Sequence, residues 1–144
     1  MADHGTLSTV ASLVSGFGVA MLFFRIQREL HMKDRHEQDW IPKSDLLLIA
    51  ATLISLLFVI LPIVSLNVEH TQLLRVPAAA CAATAVLVSG YIFSSLAHYR
   101  LLFGRGRSGR RVNPEPAERV LIILTILIAI AVFTAVFLTR RTAT

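Results

Sequence analysis

LLLIAATLISLLFVILPIVSL, Leu46 to Leu66, is an unbroken run of twenty-one residues without a charge, and its reading decides what kind of protein this is. A helix rising about 1.5 Å per residue needs about 20 apolar residues to cross a hydrocarbon layer of about 30 Å. The run therefore reads as a transmembrane helix. Pro62 falls late enough to disturb only its last turn.

Three further segments have the same character. GTLSTVASLVSGFGVAMLFF, Gly5 to Phe24, is less oily but equally free of charge. VPAAACAATAVLVSGYIFSSLA begins at Val76, and its apolar character continues past His98, Tyr99 and Arg100 to Phe103. VLIILTILIAIAVFTAVFLT, Val120 to Thr139, follows NPEPAE, where Asn113 or Glu115 can cap a helix and the prolines suit a first turn. With 55% hydrophobic and only 16% charged residues in 144, these segments consume most of the chain. No length remains for a separate soluble catalytic module. No internal repeat stands out, and the short connections favour sequential neighbours packing side by side.

The expected fold class is an all-α integral membrane protein with four transmembrane helices in an antiparallel bundle, the first helix extended into the cytoplasm. It forms a single four-helix transmembrane domain over 1–144, with helices at about 5–24 continuing to 38, 46–66, 76–103 and 118–139.

Lysine and arginine set the expected orientation, because short cytoplasmic loops carry the excess. Eleven fall in the two loops after the first and third helices, whereas only Arg75, Arg140 and Arg141 lie on the other side. The chain is thus expected to be a multi-pass protein of the cell (inner) membrane, with both termini outside the cytoplasm. Asp3 before the first segment and arginines after it reverse the pattern of a cleavable signal, so the first helix is expected to stay. The two basic loops differ. From Arg25 to Asp45 five positive residues meet five acids, and RIQRELHMKDRHEQ lacks glycine and proline, with Glu29 four residues before Lys33. That segment reads as a cytoplasmic extension of the first helix, ended by Trp40, Ile41 and Pro42 at the interface. From Arg100 to Arg119 six arginines face only Glu115 and Glu118. Arg105, Arg107, Arg110 and Arg111 carry the surplus, and anionic lipid or an acidic partner is the contact that suits them. No aromatic platform stands between those arginines, so nucleic acid is not expected as a partner.

Chemistry-bearing residues are sparse. The hydrocarbon segments contain no Asp, Glu, Lys or Arg, which disfavours a proton-coupled transporter and removes the usual acid, base and nucleophile pairs. No small-molecule substrate is identifiable, and no enzyme is expected. Cys81 is the only cysteine, so it has no intrachain disulfide partner. His31 and His36 are five residues apart, not on one helix face, and no two histidines lie at membrane depth to hold haem. Asp3, His4, Glu69 and His70 share the outer face without a fixed distance between them. No metal or cofactor is implied.

What the helices do offer is small residues. Ser8, Ser12, Gly16 and Ala20 recur every four residues along the first helix, with Ala11, Ser15 and Gly18 alongside. The third carries Ala78 with Ala82, Ala79 with Ala83, and Gly90 with Ser94. Such stripes let helices approach closely and let serine hydroxyls bond across them. The second and fourth helices are simple Leu/Ile/Val cylinders, so some of this surface is left for an intermolecular contact. The expected helix-packing or oligomer interface is Ser8, Ser12, Ser15, Gly16, Gly18, Ala20, Ala79, Ala83, Gly90 and Ser94. The expected function is a non-enzymatic structural or accessory subunit of a homo- or hetero-oligomeric membrane complex. The alternative is a homo-oligomeric pore or membrane-permeabilising protein lined by the Ser/Gly-rich first helix.

Overall fold

The computed structural model describes residues 4–32, 43–65, 74–98 and 115–142. All four stretches are helical, and each contains a span long and apolar enough to cross a membrane: Gly5–Gln27, Asp45–Ser65, Arg75–Ala97 and Pro116–Arg140. Helix α1 covers His4–Met32, and the second span is built from α2 (Asp45–Ile54), a π-helical stretch (Ser55–Ile60) and α3 (Leu61–Ser65). Helix α4 covers Arg75–His98 and α5 covers Glu115–Thr142. At 28 residues, α5 is about 42 Å long.

These boundaries follow from local chemistry. Lipid offers no partner for backbone N–H and C=O groups, so an apolar run must satisfy them within its own helix. Ser44 is the N-cap of α2 but its side chain makes no capping bond; the first turn closes instead through Leu46 N–H to the Lys43 carbonyl at 3.1 Å and Leu47 N–H to the Ser44 carbonyl at 2.9 Å. Asp45 puts a negative charge in that turn, the sign the helix dipole favours there. Threonine hydroxyls inside the helices bond back one turn, as Thr52 does to the Leu48 carbonyl at 2.9 Å and Thr125 to the Leu121 carbonyl at 2.7 Å, which satisfies them without help from a neighbour.

Three boundaries extend or depart from the sequence reading. The first helix reaches Met32, and the expected extension over 33–38 lies outside the described residues, as do 99–103 at the end of the third. The fourth helix starts at Glu115, three residues before the expected position, because a proline at its second position costs no hydrogen bond. The effect of Pro62 spreads further than its last turn. The preceding residues, Ser55–Ile60, adopt a π-helix, since the ring would collide with the carbonyl four residues earlier and the wider turn relieves it.

Packing centres on α4. It runs along α5, along α2 with the π-helical stretch, and against part of α1. Of the four spans it is the most buried and the fourth the least. One apolar cluster joins Leu7 and Ala11 of α1, Val59, and Ala78, Ala80 and Cys81 of α4. A second joins Leu47, Leu48 and Ala51 of α2 with Ala83, Leu87 and Tyr91 of α4 and Ala129 of α5.

Two glycines set how closely the helices approach. A Cβ added at Gly18 would strike the Thr52 side chain, and one added at Gly90 would strike that of Thr125. The first pair brings α1 onto α2; the second brings α4 onto α5.

Candidate functional site: a polar cluster joining the helix ends

Where the helices flank the two basic loops, one polar side chain from each span converges. Arg25 of α1 donates from Nε to Asp45 Oδ1 at 3.1 Å, and its Nη2 lies 3.1 Å from the same oxygen. One residue before Asp45, the Ser44 N–H donates to Glu118 Oε1 of α5 at 2.8 Å. The Ser95 hydroxyl of α4 lies 3.4 Å from that of Ser44. Glu118 is only 1% exposed.

A helix N-terminus explains this geometry. In a capping box, a glutamate three residues inside the helix turns back to bond the cap residue's N–H. Leu47 holds that position in α2 and points into the core. Glu118 provides the carboxylate from another helix, next to the positive ends of α2 and of α5 itself. Left unmade, a buried N–H costs about 1–3 kcal/mol, and this bond ties together two helices that otherwise share few contacts.

Beside the cluster, a cleft of about 240 Å³ opens between α1 and α4. Its lining is mostly apolar, from Met21, Phe24, Tyr91 and Ile92, with Arg25 and Ser95 as polar members. Such a lining suits an acyl chain better than a sugar or nucleotide.

The residues singled out for packing fall into two groups. Ser15, Gly18, Ala79, Ala83, Gly90 and Ser94 are buried within the chain. Ser12, Gly16 and Ala20 face outward and Ser8 is half-buried, so Ser12 and Ser15 do not share an environment. The hydroxyls of Ser15, Ser55 and Ser94 are buried without a hydrogen-bond partner. The loop arginines Arg105, Arg107, Arg110 and Arg111 lie outside the described residues, as do Asp3, Glu69 and His70; of His4 only the backbone, at the start of α1, is described. Among the described residues no three His, Cys, Asp or Glu side chains gather as a metal site would require.

The polar cluster is what the sequence reading missed. Arg25, Asp45 and Glu118 entered it only as loop charges. The available signal was an acid in the first turn of each of the two oiliest helices, Asp45 and Glu118, each seven residues before a threonine. Comparison with protein-family models, curated proteins and solved structures finds no match to this chain.

Proposed function

We propose that this chain is a small multi-pass protein of the cell (inner) membrane that acts as a non-enzymatic structural or accessory subunit of a homo- or hetero-oligomeric membrane complex. In this reading it is an antiparallel four-helix bundle with both termini outside the cytoplasm. The opposite sequence order of contacts between α1 and α2, Gly18 with Thr52 and then Arg25 with Asp45, supports the antiparallel arrangement. Arg105, Arg107, Arg110 and Arg111 hold the cytoplasmic face against anionic lipid or an acidic partner.

One observation carries the subunit reading. Helix α1 has two small-residue rows: Ala11, Ser15 and Gly18 are consumed by packing within the chain, while Ser12, Gly16 and Ala20 are left uncovered. Small residues make poor contact with acyl chains but good contact with another helix. The experiment is purification in mild detergent with mass and composition measured. An assembly of several chains, or of this chain with another membrane protein, is expected. A clean monomer overturns the reading. So does reaction of Ser12→Cys with water-soluble thiol reagents in the assembled protein, which would mean a water-filled path along α1 instead of a packing face.

A further inference from the structure

The exposure pattern shows a repeat that the sequence hides. The chain contains two helix pairs, α1 with the second span and α4 with α5, and each pair is locked by a glycine facing a threonine. Gly90 lies 72 residues after Gly18, and Thr125 lies 73 after Thr52. With these offsets the acids match as well: Glu118 follows Asp45 by 73. The rows that close each pair correspond in burial. Leu7, Ala11, Ser15 and Gly18 are buried, and so are their counterparts Ala79, Ala83, Leu87 and Gly90.

The two pairs differ on one surface. In the second span, Leu47 and Ala51 of α2 and Ser55 at the start of the π-helical stretch are 2%, 0% and 0% exposed, the first two packed with α4, whereas their counterparts in α5, Val120, Leu124 and Ile128, are 64%, 50% and 44% exposed. The receiving surface behaves in the same way. On α4 the row Ala80, Thr84, Val88, Tyr91 and Ser95 is covered or half-covered. Seventy-two residues earlier stand Ser8, Ser12, Gly16, Val19 and Phe23, all exposed except half-buried Ser8. Inside the chain, then, the second helix of one pair docks on the first helix of the next. At the two ends of the array that same interface is half-made: α5 has the docking face without a receiver, and α1 has the receiver without a docking helix.

We propose that a second copy of this chain completes it, its α5 packing on the outward face of α1 by the contact that α2 makes with α4. The proposal rests on the subunit reading and names the partner. Side-chain sizes support it: Leu124 and Ile128 are large and Gly16 and Ser12 small, whereas at the corresponding positions within the chain, counted from the Ser44–Ser95 contact, Ala51 and Ser55 are small and Val88 and Thr84 larger. A lipid-facing role accounts for α5 alone but not for a Ser and Gly row on α1. A directional contact of this kind closes into a ring or runs on as an array, and two copies suffice for closure if each docks on the other.

Cross-linking tests the register. Eleven residues, three turns, along each helix from the Ser44–Ser95 contact lie Ser55 and Thr84, both fully buried; their counterparts are Ile128 and Ser12. In a Cys81→Ala background, one tagged chain carries Ser12→Cys and a differently tagged chain carries Ile128→Cys. Oxidation in native membranes is expected to give a covalent dimer bearing both tags. Leu13→Cys with Ile128→Cys is the control, because Leu13 is one residue along but round the helix, matching Ala85, which is also exposed; it is expected to give none. Apart from its own turns of helix, nothing lies within 4 Å of a Cβ added at Gly16, so Gly16→Leu is expected to keep helicity and melting behaviour while the assembly falls to single chains. Absence of the Ser12–Ile128 band, equal yield in the control, or an unchanged mass for folded Gly16→Leu overturns the proposal. Cross-linking of Ser12→Cys to a different membrane protein, with no Ser12–Ile128 band, overturns it while leaving the subunit reading standing.

Discussion

Glu118 closes the start of a helix whose cap residue, Ser44, lies 74 residues before it, accepting the Ser44 N–H at 2.8 Å. The fourth helix is otherwise held almost entirely by α4, so this bond ties it to the second span. Glu118→Gln keeps a carbonyl oxygen in place and should cost little. Glu118→Leu leaves the Ser44 N–H buried without its acceptor and should lower stability by about 1–3 kcal/mol. Denaturant titration in detergent micelles, followed by circular dichroism, distinguishes the two; equal stability of Glu118→Leu and wild type would remove the bond from the account.

Gly18 and Gly90 should respond differently to the same rescue. Alanine at either site drives a methyl into a threonine, at a cost of about 1–3 kcal/mol. Removing the Thr52 branches leaves its Cβ 3.3 Å from the new methyl, whereas Thr125 Cβ would remain 2.7 Å away. Thr52→Ala should therefore recover most of the loss in Gly18→Ala, and Thr125→Ala only part of the loss in Gly90→Ala. The double-mutant coupling energies measure this, and equal rescue at both sites would contradict the geometry.

Arg25 and Asp45 form a part-buried pair, placed between the exposed kind worth under about 1 kcal/mol and the fully buried kind. Asp45→Asn should destabilise by about 1–2 kcal/mol, and added salt should weaken the wild-type pair only slightly because little of it meets solvent. An Asp45→Asn effect that vanishes in 0.5 M salt, roughly, would place the pair in free solvent.

Topology gives a further prediction. A reporter fused after Thr144 should be active outside the cytoplasm. Neutralising Arg107, Arg110 and Arg111 should leave that unchanged, since eight lysines and arginines still stand in the two loops against three on the other side. The same triple variant should bind vesicles containing anionic lipid more weakly than wild type. A reversed reporter, or unchanged vesicle binding, would separate the arginine surplus from either role.

The four spans were legible because hydrocarbon demands length and apolarity and little else; Leu46–Leu66 alone sufficed. What side chains do to each other was not legible. The tetrapeptide Leu-Val-Ser-Gly occurs at 13–16 and again at 87–90, which would align Gly16 with Gly90. In the structure Gly18 meets a threonine, whereas a Cβ at Gly16 would find nothing within 4 Å beyond its own turns of helix. Two residues are 200° of helix rotation, so a match in letters is a mismatch in faces. Glu118 was hidden for a related reason. Its charge belongs to a loop by sequence count, while its partner Ser44 becomes a neighbour only after the helices have packed.

The π-helical stretch at Ser55–Ile60 has a consequence for how this chain tolerates change in length. A π turn holds one residue more than the α-helix around it, so the second span carries a spare residue just where Pro62 follows. Deleting one of the exposed residues Leu56, Leu57 or Phe58 would let the turn tighten to α while Ser44, Thr52 and Ile63 keep their faces. The same deletion in α4 would turn every residue beyond it by about 100° and break the row that holds α5. The second span is the helix in which this protein can lose a residue and stay in register.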